Sequence, residues 1–424
     1  MAELLDRSSR FIDRGIVDGE YNPMTLHLHE LTDGIAMVDG FSHVITFDTE
    51  DGLVVFDTSL ALMAPNALSA LRTWSAKPFH TLVYTHGHVD HVGGAPAFLA
   101  DAEARGDRRP DIVGHASIAP RMDRYEMTAG YVATINARQF GGTAIAREGG
   151  IARDARFPPM IRPSVAYDDR LDLDVGGVRF ELRHGKGETD DHTWTWVPSH
   201  RAAVVGDFLI WSFPNAGNPQ KVQRYPREWA RALREIAAFH PRLLLPAHAL
   251  PVEGEERVQR MLDDTATVLE LLVDSVLERM NAGDRLDDII HSVRVPDELA
   301  ERPWLRPLYD EPEFVIRNIW RMYGGWYDGN PARLKPPADS AVAVETARLA
   351  GGVAVLVARA TELAAAGDLR LACHLAELAV QAAPDDPAAH GARADIYTQR
   401  RHTETSLMAK GIFGDAARVS RDRA

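Results

Sequence analysis

One cysteine in 424 residues, Cys373, leaves no pair for an internal disulfide and no thiolate cluster for a metal. Positive charge is also short: 47 Lys and Arg stand against 61 Asp and Glu, a formal net charge of −14. Phosphate contacts need clustered Lys and Arg, so no nucleic-acid partner is expected. No apolar run approaches membrane-spanning length, and no membrane association is expected. The first twenty residues carry Glu3, Asp6, Arg7, Arg10, Asp13, Arg14, Asp18 and Glu20, which is not the pattern of an apolar signal segment. The expectation is a soluble cytoplasmic protein. What the chain does have is 45% hydrophobic residues, enough length for two or three domains, and 17 histidines. Any metal must therefore be held by His and carboxylates.

The pattern along the chain changes once. A polar lead-in, helical around 4–16, is followed from Gly34 by alternating apolar runs, with Glu50-Asp51-Gly52 as a hairpin turn between two of them. A helix over 65–74, a buried strand over 80–85, a helix near 94–104 and a strand over 111–115 give a βαβ rhythm. Residues 116–165 are less regular and suggest a lid or substrate-lining insertion. Strands return at 171–183, 193–198, 202–205 and 243–245. Hairpins mixed with crossovers predict an αββα sandwich, in the α/β class, rather than a parallel doubly wound sheet. After His248 the texture becomes helical: a long helix and a short one over 254–293, a Pro- and Trp-rich stretch, then Ala-rich helices over 341–400 broken at Gly367-Asp368 and 383–387. Two such helices and a Pro-started third resemble one tetratricopeptide-like unit, which cannot bury its own apolar face. The expected division is a catalytic domain over 1–253 and an all-α domain over 254–424, with apolar stripes that predict a homodimer built after residue 254.

The segment Thr85-His86-Gly87-His88-Val89-Asp90-His91-Val92-Gly93-Gly94 puts four potential ligands directly after an apolar strand. Imidazole nitrogens and a carboxylate suit zinc. A strand-to-loop junction can splay them around two ions: His86 and His88, two apart, leave one face together, while Asp90 and His91 turn towards a second ion. Gly93-Gly94 permits a tight entry into the following helix.

This segment resembles the HxHxDH signature of the metallo-β-lactamase superfamily, and the resemblance extends over the whole chain. It implies that Asp57, ending the run Val54-Val55-Phe56, orients the metal loop without binding an ion. It implies a third ligand in a GxGHT-type loop, matched here by Gly185-Lys186-Gly187-Glu188-Thr189. Glu188 takes the usual histidine position, which resembles the alkylsulfatase branch; His184 and His192 are the competitors. The bridging acid is implied to be Asp207 and the last ligand His248. Alkylsulfatases more often have glutamate where Asp207 stands. Two zinc ions per chain are thus implied, one on His86, His88 and Glu188, the other on Asp90, His91 and His248, with Asp207 shared.

The run Arg321-Met-Tyr-Gly-Gly-Trp-Tyr-Asp-Gly-Asn-Pro-Ala-Arg333 resembles the segment that joins an alkylsulfatase catalytic domain to its helical dimerisation domain, and 405–410 resembles that domain's last helix. The implied activity is zinc-dependent hydrolysis of a sulfate monoester, an alkyl sulfate in class, with Asp90 and Asp207 at the reacting centre. The alternative is another use of the same site, on a lactone, thioester or phosphodiester. Asn215 and Asn218 follow Asp207 where alkylsulfatases contact sulfate, but the arginine expected next is out of register, and Lys221 or Arg224 could replace it. Arg138, in Asn136-Ala-Arg-Gln-Phe-Gly141, resembles an Arg-rich stretch of the same family that stands ahead of a Tyr-Gly. A sulfate group needs such cationic or amide donors.

Overall fold

The computed structural model describes residues 3–140 and 160–424. They fall into two compact units: the described parts of Met1–Ala129, Arg156–Gly283 and Ile289–Tyr323, and those of Gly130–Ala155, Asp284–Asp288 and Gly324–Ala424.

The first unit holds two sheets. One runs in chain order through β1 (Leu28–Thr32), β2 (Ile35–Val38), β3 (Val44–Thr49), β4 (Gly52–Phe56), β5 (Phe79–Val83), β6 (Asp111–His115) and β7 (Val165–Tyr167). Its first four strands are antiparallel, and β4 to β7 are parallel. The second holds β8 (Arg170–Val175), β9 (Val178–Gly185), β10 (His192–Val197), β11 (Ala202–Gly206), β12 (Leu243–Pro246) and β13 (Val252–Glu253). It is antiparallel except where β11 and β12 run together.

Period-2 alternation shows which face meets what. Every residue of β4 is buried. Leu53 and Val55 share an apolar cluster with Ala67 and Leu71 of the helix Ala64–Trp74 and Phe98 of the helix Ala95–Arg105. Phe56, on the opposite face, meets Phe180 of β9 with ring centroids 6.0 Å apart, and Phe47 of β3 meets the same ring at 5.3 Å. Each such side chain contributes roughly 1.5–3 kcal/mol on burial. The outer face of the second sheet is covered by the helix Pro226–Ala238, which buries Trp229, Leu233 and Ile236. The layers are helix, sheet, sheet, helix, as the sequence predicts.

Two expectations are corrected. The compact units do not divide at residue 254, because the long helix Glu255–Asn281 belongs to the first. It runs beside Pro226–Ala238, where Gln259 Nε2 donates to Ala237 O at 2.7 Å and Arg234 pairs with Asp263 and Glu270 at 2.7 and 2.8 Å. A change to helical texture is not a change of core. Nor is 116–140 irregular: it forms the helices Ile118–Met127 and Ala129–Phe140. The rest of that supposed lid, 141–159, lies outside the described residues.

In the second unit, helices Asp339–Ala350, Val353–Ala365, Leu369–Ala382, Pro387–Thr403 and Leu407–Arg421 follow one another. Asp368 and Asp386 cap two of them through their side chains, at the breaks the sequence shows. One further break, at Gly351-Gly352, goes unread in the Ala-rich run. Both glycines have positive φ, +97° and +125°, which ends one helix and turns into the next. Ala360, Leu363, Ala372, Ala376, Ile396 and Tyr397 form the shared core. No single helix among the described residues is long and apolar enough to cross a membrane.

Candidate metal centre

Five strand ends converge. β5 stops at Val83 between the parallel neighbours β4 and β6, so the following residues emerge at the carboxyl ends of the strands. Tyr84–His88 are extended or bent, and Val89–Val92 make one helical turn. Asp57 follows β4, Glu188 follows β9, Asp207 follows β11 and His248 follows β12.

The side chains meet in two groups. His86, His88 and Asp207 place ligand atoms within 4.8 Å of one another, and so do Asp90, His91 and His248. Glu188 Oε1 lies 3.4 Å from His88 Nδ1. Asp207 reaches both groups: its Oδ2 is 3.7 Å from His86 Nε2 and 3.5 Å from His91 Nε2, and its Oδ1 is 3.4 Å from His248 Nε2. Asp90 Oδ2 stands 3.4 Å from His91 Nε2 and 3.5 Å from His248 Nε2. His91 Nε2 and Asp207 Oδ1 are buried and have no hydrogen-bond partner among the described residues. Such orphans are rare unless something else binds them. The seven side chains offer imidazole nitrogens and carboxylate oxygens alone, a donor set that fits metal ions.

The scaffold behind the ligands is strained. Asp57 has φ +58°, is buried, and accepts from Thr85 N and Thr85 Oγ1 at 2.8 Å each and from His91 Nδ1 at 2.7 Å. That bond puts the His91 proton on Nδ1 and leaves Nε2 facing Asp90 and Asp207. His248 Nδ1 is hydrogen-bonded to Phe41 O, which orients its Nε2 in the same way. Asp207 is delivered by Gly206 at φ +51°, where a Cβ would lie 2.5 Å from His192 Nε2 and 2.8 Å from Thr85 Cβ. A Cβ on Gly94 would lie 1.9 Å from Thr58 O, so the helix after the motif can approach the segment that follows β4 only through glycine.

Burial sets the electrostatics. It drives His86 and His88 well below the ordinary imidazole range, assisted by the His91 imidazole for His86 and by Arg224 for His88. It lifts the Glu188 carboxyl to about 7, against the pull of Arg224 and with Asp207 adding to the rise. Burial would lift Asp90 and Asp207 too, but His91 and His248 outweigh it and hold both carboxyls far below the usual range. In return His248 rises to about 10: burial opposes this, and Asp207 overcomes it. A buried group of carboxylates needs positive charge among them.

Of the competing histidines, His184 gives Nε2 to Asp190 O at 2.9 Å and stacks on His115, centroids 3.8 Å apart. His192 Nε2 accepts from Asp207 N at 3.2 Å, and its ring lies between His86 and Phe208. Glu188 is the one of the three that faces His88. Asn215 hydrogen-bonds Glu188. Arg224 NH1 lies 3.0 Å from Glu188 Oε1. Lys221 is brought to about 8 by burial and by the neighbouring Arg224, with Glu188 and Asp90 pulling the other way. Arg138 lies on the helix Ala129–Phe140, in the second unit, its Nε 3.9 Å from Asp415. Sequence reasoning misses Arg121, which is buried and donates from Nε to Asp191 Oδ2 at 2.8 Å, while that same oxygen accepts Gly87 N at 3.0 Å and fixes the loop between the first two histidines. Its only sequence trace is the Asp190-Asp191 pair left over from the ligand assignment.

A family model described as the metallo-beta-lactamase superfamily matches residues 37–248, half of the chain, and the chain belongs to that superfamily. A second, described as alkyl sulfatase dimerisation, matches residues 285–423. The chain is similar to a linear primary-alkylsulfatase of a Pseudomonas species, 26% identical over 85% of this chain and 70% of that one. It is 24% identical to an (R)-specific secondary-alkylsulfatase of Pseudomonas over 88% of this chain and 59% of that one. The solved structure of the stereoselective inverting sec-alkylsulfatase Pisa1 from Pseudomonas superposes with a TM-score of 0.84 at 23% identity, covering 94% of this chain and 66% of that one. That likeness shows the sandwich followed by a helical C-terminal region. The chain spans 59 to 70% of the length of these relatives.

Proposed function

We propose that this chain is a dinuclear zinc hydrolase that cleaves alkyl sulfates, R–O–SO₃⁻ plus water giving the alcohol and hydrogen sulfate. The observation that carries the reading is Glu188, placed against His88 and Asn215 in the position where the superfamily motif has histidine. The relatives named alkylsulfatases support it from a separate direction. His86, His88 and Glu188 would hold one ion, Asp90, His91 and His248 the other, with Asp207 shared. When bound, two zinc ions supply Lewis acidity and lower the pKa of water towards neutrality.

The protein's own residues do the rest. Asp207, which reaches both ligand groups, would hold the attacking water between them. Asn215, Lys221 and Arg224 supply amide and cationic donors to the sulfate oxygens, fixed in place before the charge redistributes. An anion beside Lys221 restores the ammonium form that burial weakens. Zinc-loaded protein tested on alkyl sulfates, lactones and phosphodiesters should release sulfate. Lactone or phosphodiester turnover without sulfate release would assign the site to the second reading, which Asp207 in place of glutamate favours.

A homodimer through the second unit belongs to the same proposal. Val342 and Leu349, seven apart and so on one face of the helix Asp339–Ala350, are 45 and 79% exposed, apolar surface of the kind that monomers rarely keep open. Light scattering at micromolar concentration should give twice the chain mass of 46.8 kDa.

A further inference from the structure

The loop Ser212–Tyr225 leaves the second sheet after Asp207 and reaches the helix Pro226–Ala238 with no regular hydrogen-bond ladder of its own. It carries Asn215, Lys221 and Arg224. Three of its buried polar atoms, Asn215 Oδ1, Asn218 Nδ2 and Arg224 Nε, have no hydrogen-bond partner among the described residues. A buried loop must satisfy its backbone somewhere; Tyr225 N bonds Gly187 O at 3.0 Å, and one later segment takes up much of the rest. Arg306 O accepts from Phe213 N at 2.9 Å and from Ser212 Oγ at 3.2 Å. The Asp310 carboxyl, fully buried, accepts Gly217 N at 2.5 Å and Asn218 N at 3.1 Å on one oxygen and Glu311 N at 2.8 Å on the other. Asn318 Nδ2 donates to Ala216 O at 2.8 Å and to Arg224 O at 3.0 Å, while its Oδ1 accepts from Gln223 Nε2 at 3.0 Å and Arg321 NH2 at 3.0 Å. Gly217 is pressed so closely on this segment that a Cβ would lie 2.5 Å from the carbonyl carbon of Phe314.

We infer that residues 306–321 complete the active site, and that Asp310 and Asn318 are positioning residues that set Asn215 and Arg224 for the sulfate group. The two side chains bracket the loop: Asp310 holds the backbone just after Asn215 and Asn318 holds it before Gly217 and again at Arg224. Neither touches a metal ligand; each acts through the loop. The stretch lies beyond the 37–248 matched to the superfamily, so the substrate-facing loop takes its shape from sequence outside that core. This rests on the sulfatase reading for its consequence, though not for the clamp itself.

The test compares Asn318→Ala and Asp310→Asn with the unchanged full chain, zinc-loaded, by hydrogen exchange, zinc content and kinetics on an alkyl sulfate. Both variants should retain zinc, and amide exchange should accelerate over 213–224 while β5 and the helix Glu255–Asn281 keep their protection. kcat/KM for the alkyl sulfate should fall roughly tenfold or more, with Asn318→Gln, which can still donate an amide hydrogen, recovering part of it. Unchanged exchange over 213–224 overturns the clamp. Faster exchange with unchanged kcat and KM overturns the positioning role. If the unchanged chain releases no sulfate, the proposed function falls, and the exchange result still decides the clamp. A variant that loses zinc or its protection throughout would assign these side chains to folding alone and overturn the inference.

Discussion

Asp57→Asn isolates how the motif aspartate controls the centre. Asparagine tolerates the left-handed backbone that this position adopts at φ +58°, so the substitution adds no backbone strain. Asp57 Oδ1 takes Thr85 N, while Oδ2 takes Thr85 Oγ1 and His91 Nδ1. An asparagine that keeps the Thr85 N bond must turn its NH₂ towards His91 Nδ1. That nitrogen then becomes an acceptor, and the ring proton moves to Nε2, the atom that faces Asp90 and Asp207 at 3.4 and 3.5 Å. A protonated Nε2 cannot ligate. Loss of such an orienting partner costs about 10- to 100-fold in metal affinity, which is about 1.4–2.7 kcal/mol. The effect should fall most heavily on the ion assigned to Asp90, His91 and His248, since His88 and Glu188 have no bond to Asp57 and His86 reaches it only through the Thr85 hydroxyl. Zinc titration against a chelator, read for two successive equivalents, should show one weakened and one close to unchanged. Two equivalents bound as tightly as in the unchanged protein would refute the tautomer argument.

Other outcomes rest on single residues. Gly206→Ala meets both a positive φ and a 2.5 Å approach to His192 Nε2, so it should lower Tm by the equivalent of about 2 kcal/mol or more and weaken zinc binding, checked by calorimetry and elemental analysis. Asp310 is raised by burial from 3.8 to about 6, its three backbone donors pulling the other way. The folded state therefore binds this proton more tightly than the unfolded one: the stabilisation is complete below about 4 and is lost as pH rises through 6, a change of about 3 kcal/mol at most. Denaturant unfolding of zinc-free protein should show that loss, and Asp310→Asn should lack it. Cys373, raised to about 11 by burial, should react with a disulfide reagent at pH 8 far more slowly than a free thiol and reach full rate only on unfolding.

Much of the first unit is legible in the sequence because its signals are local. β4 and β5 are apolar runs that end directly on chemistry, at Asp57 and at Thr85-His86. The hairpin at Glu50-Asp51-Gly52 is a turn type written in three residues, and its strands pair Thr49 with Gly52. The helix breaks at Asp368 and Asp386 are likewise cap residues. The Gly351-Gly352 break has a signal, a glycine pair able to end a helix, but it stands inside a good helical composition and the Ala-rich reading runs across it. The unit boundary is hidden for another reason. Residues 254–281 are helical, as are those C-terminal to them, and only packing against Pro226–Ala238 shows which core they serve.

The site divides along the same line. His86, His88, Asp90 and His91 lie within six residues, and the spacing itself carries the chemistry. Glu188, Asp207 and His248 each stand alone after a strand, where an isolated acid or histidine is as often a turn or surface residue, and the motif frame singles them out rather than any property of their own. Asp310 and Asn318 have not even that frame. They act on the backbone of a loop about a hundred residues N-terminal to them, and a hydrogen bond to backbone requires nothing particular of the loop's sequence except at Gly217, where the close approach excludes a side chain. Sequence can announce a ligand, because coordination chemistry restricts the residue type. It cannot announce which carboxyl or amide will hold a loop, because many side chains could, and only the fold chooses among them.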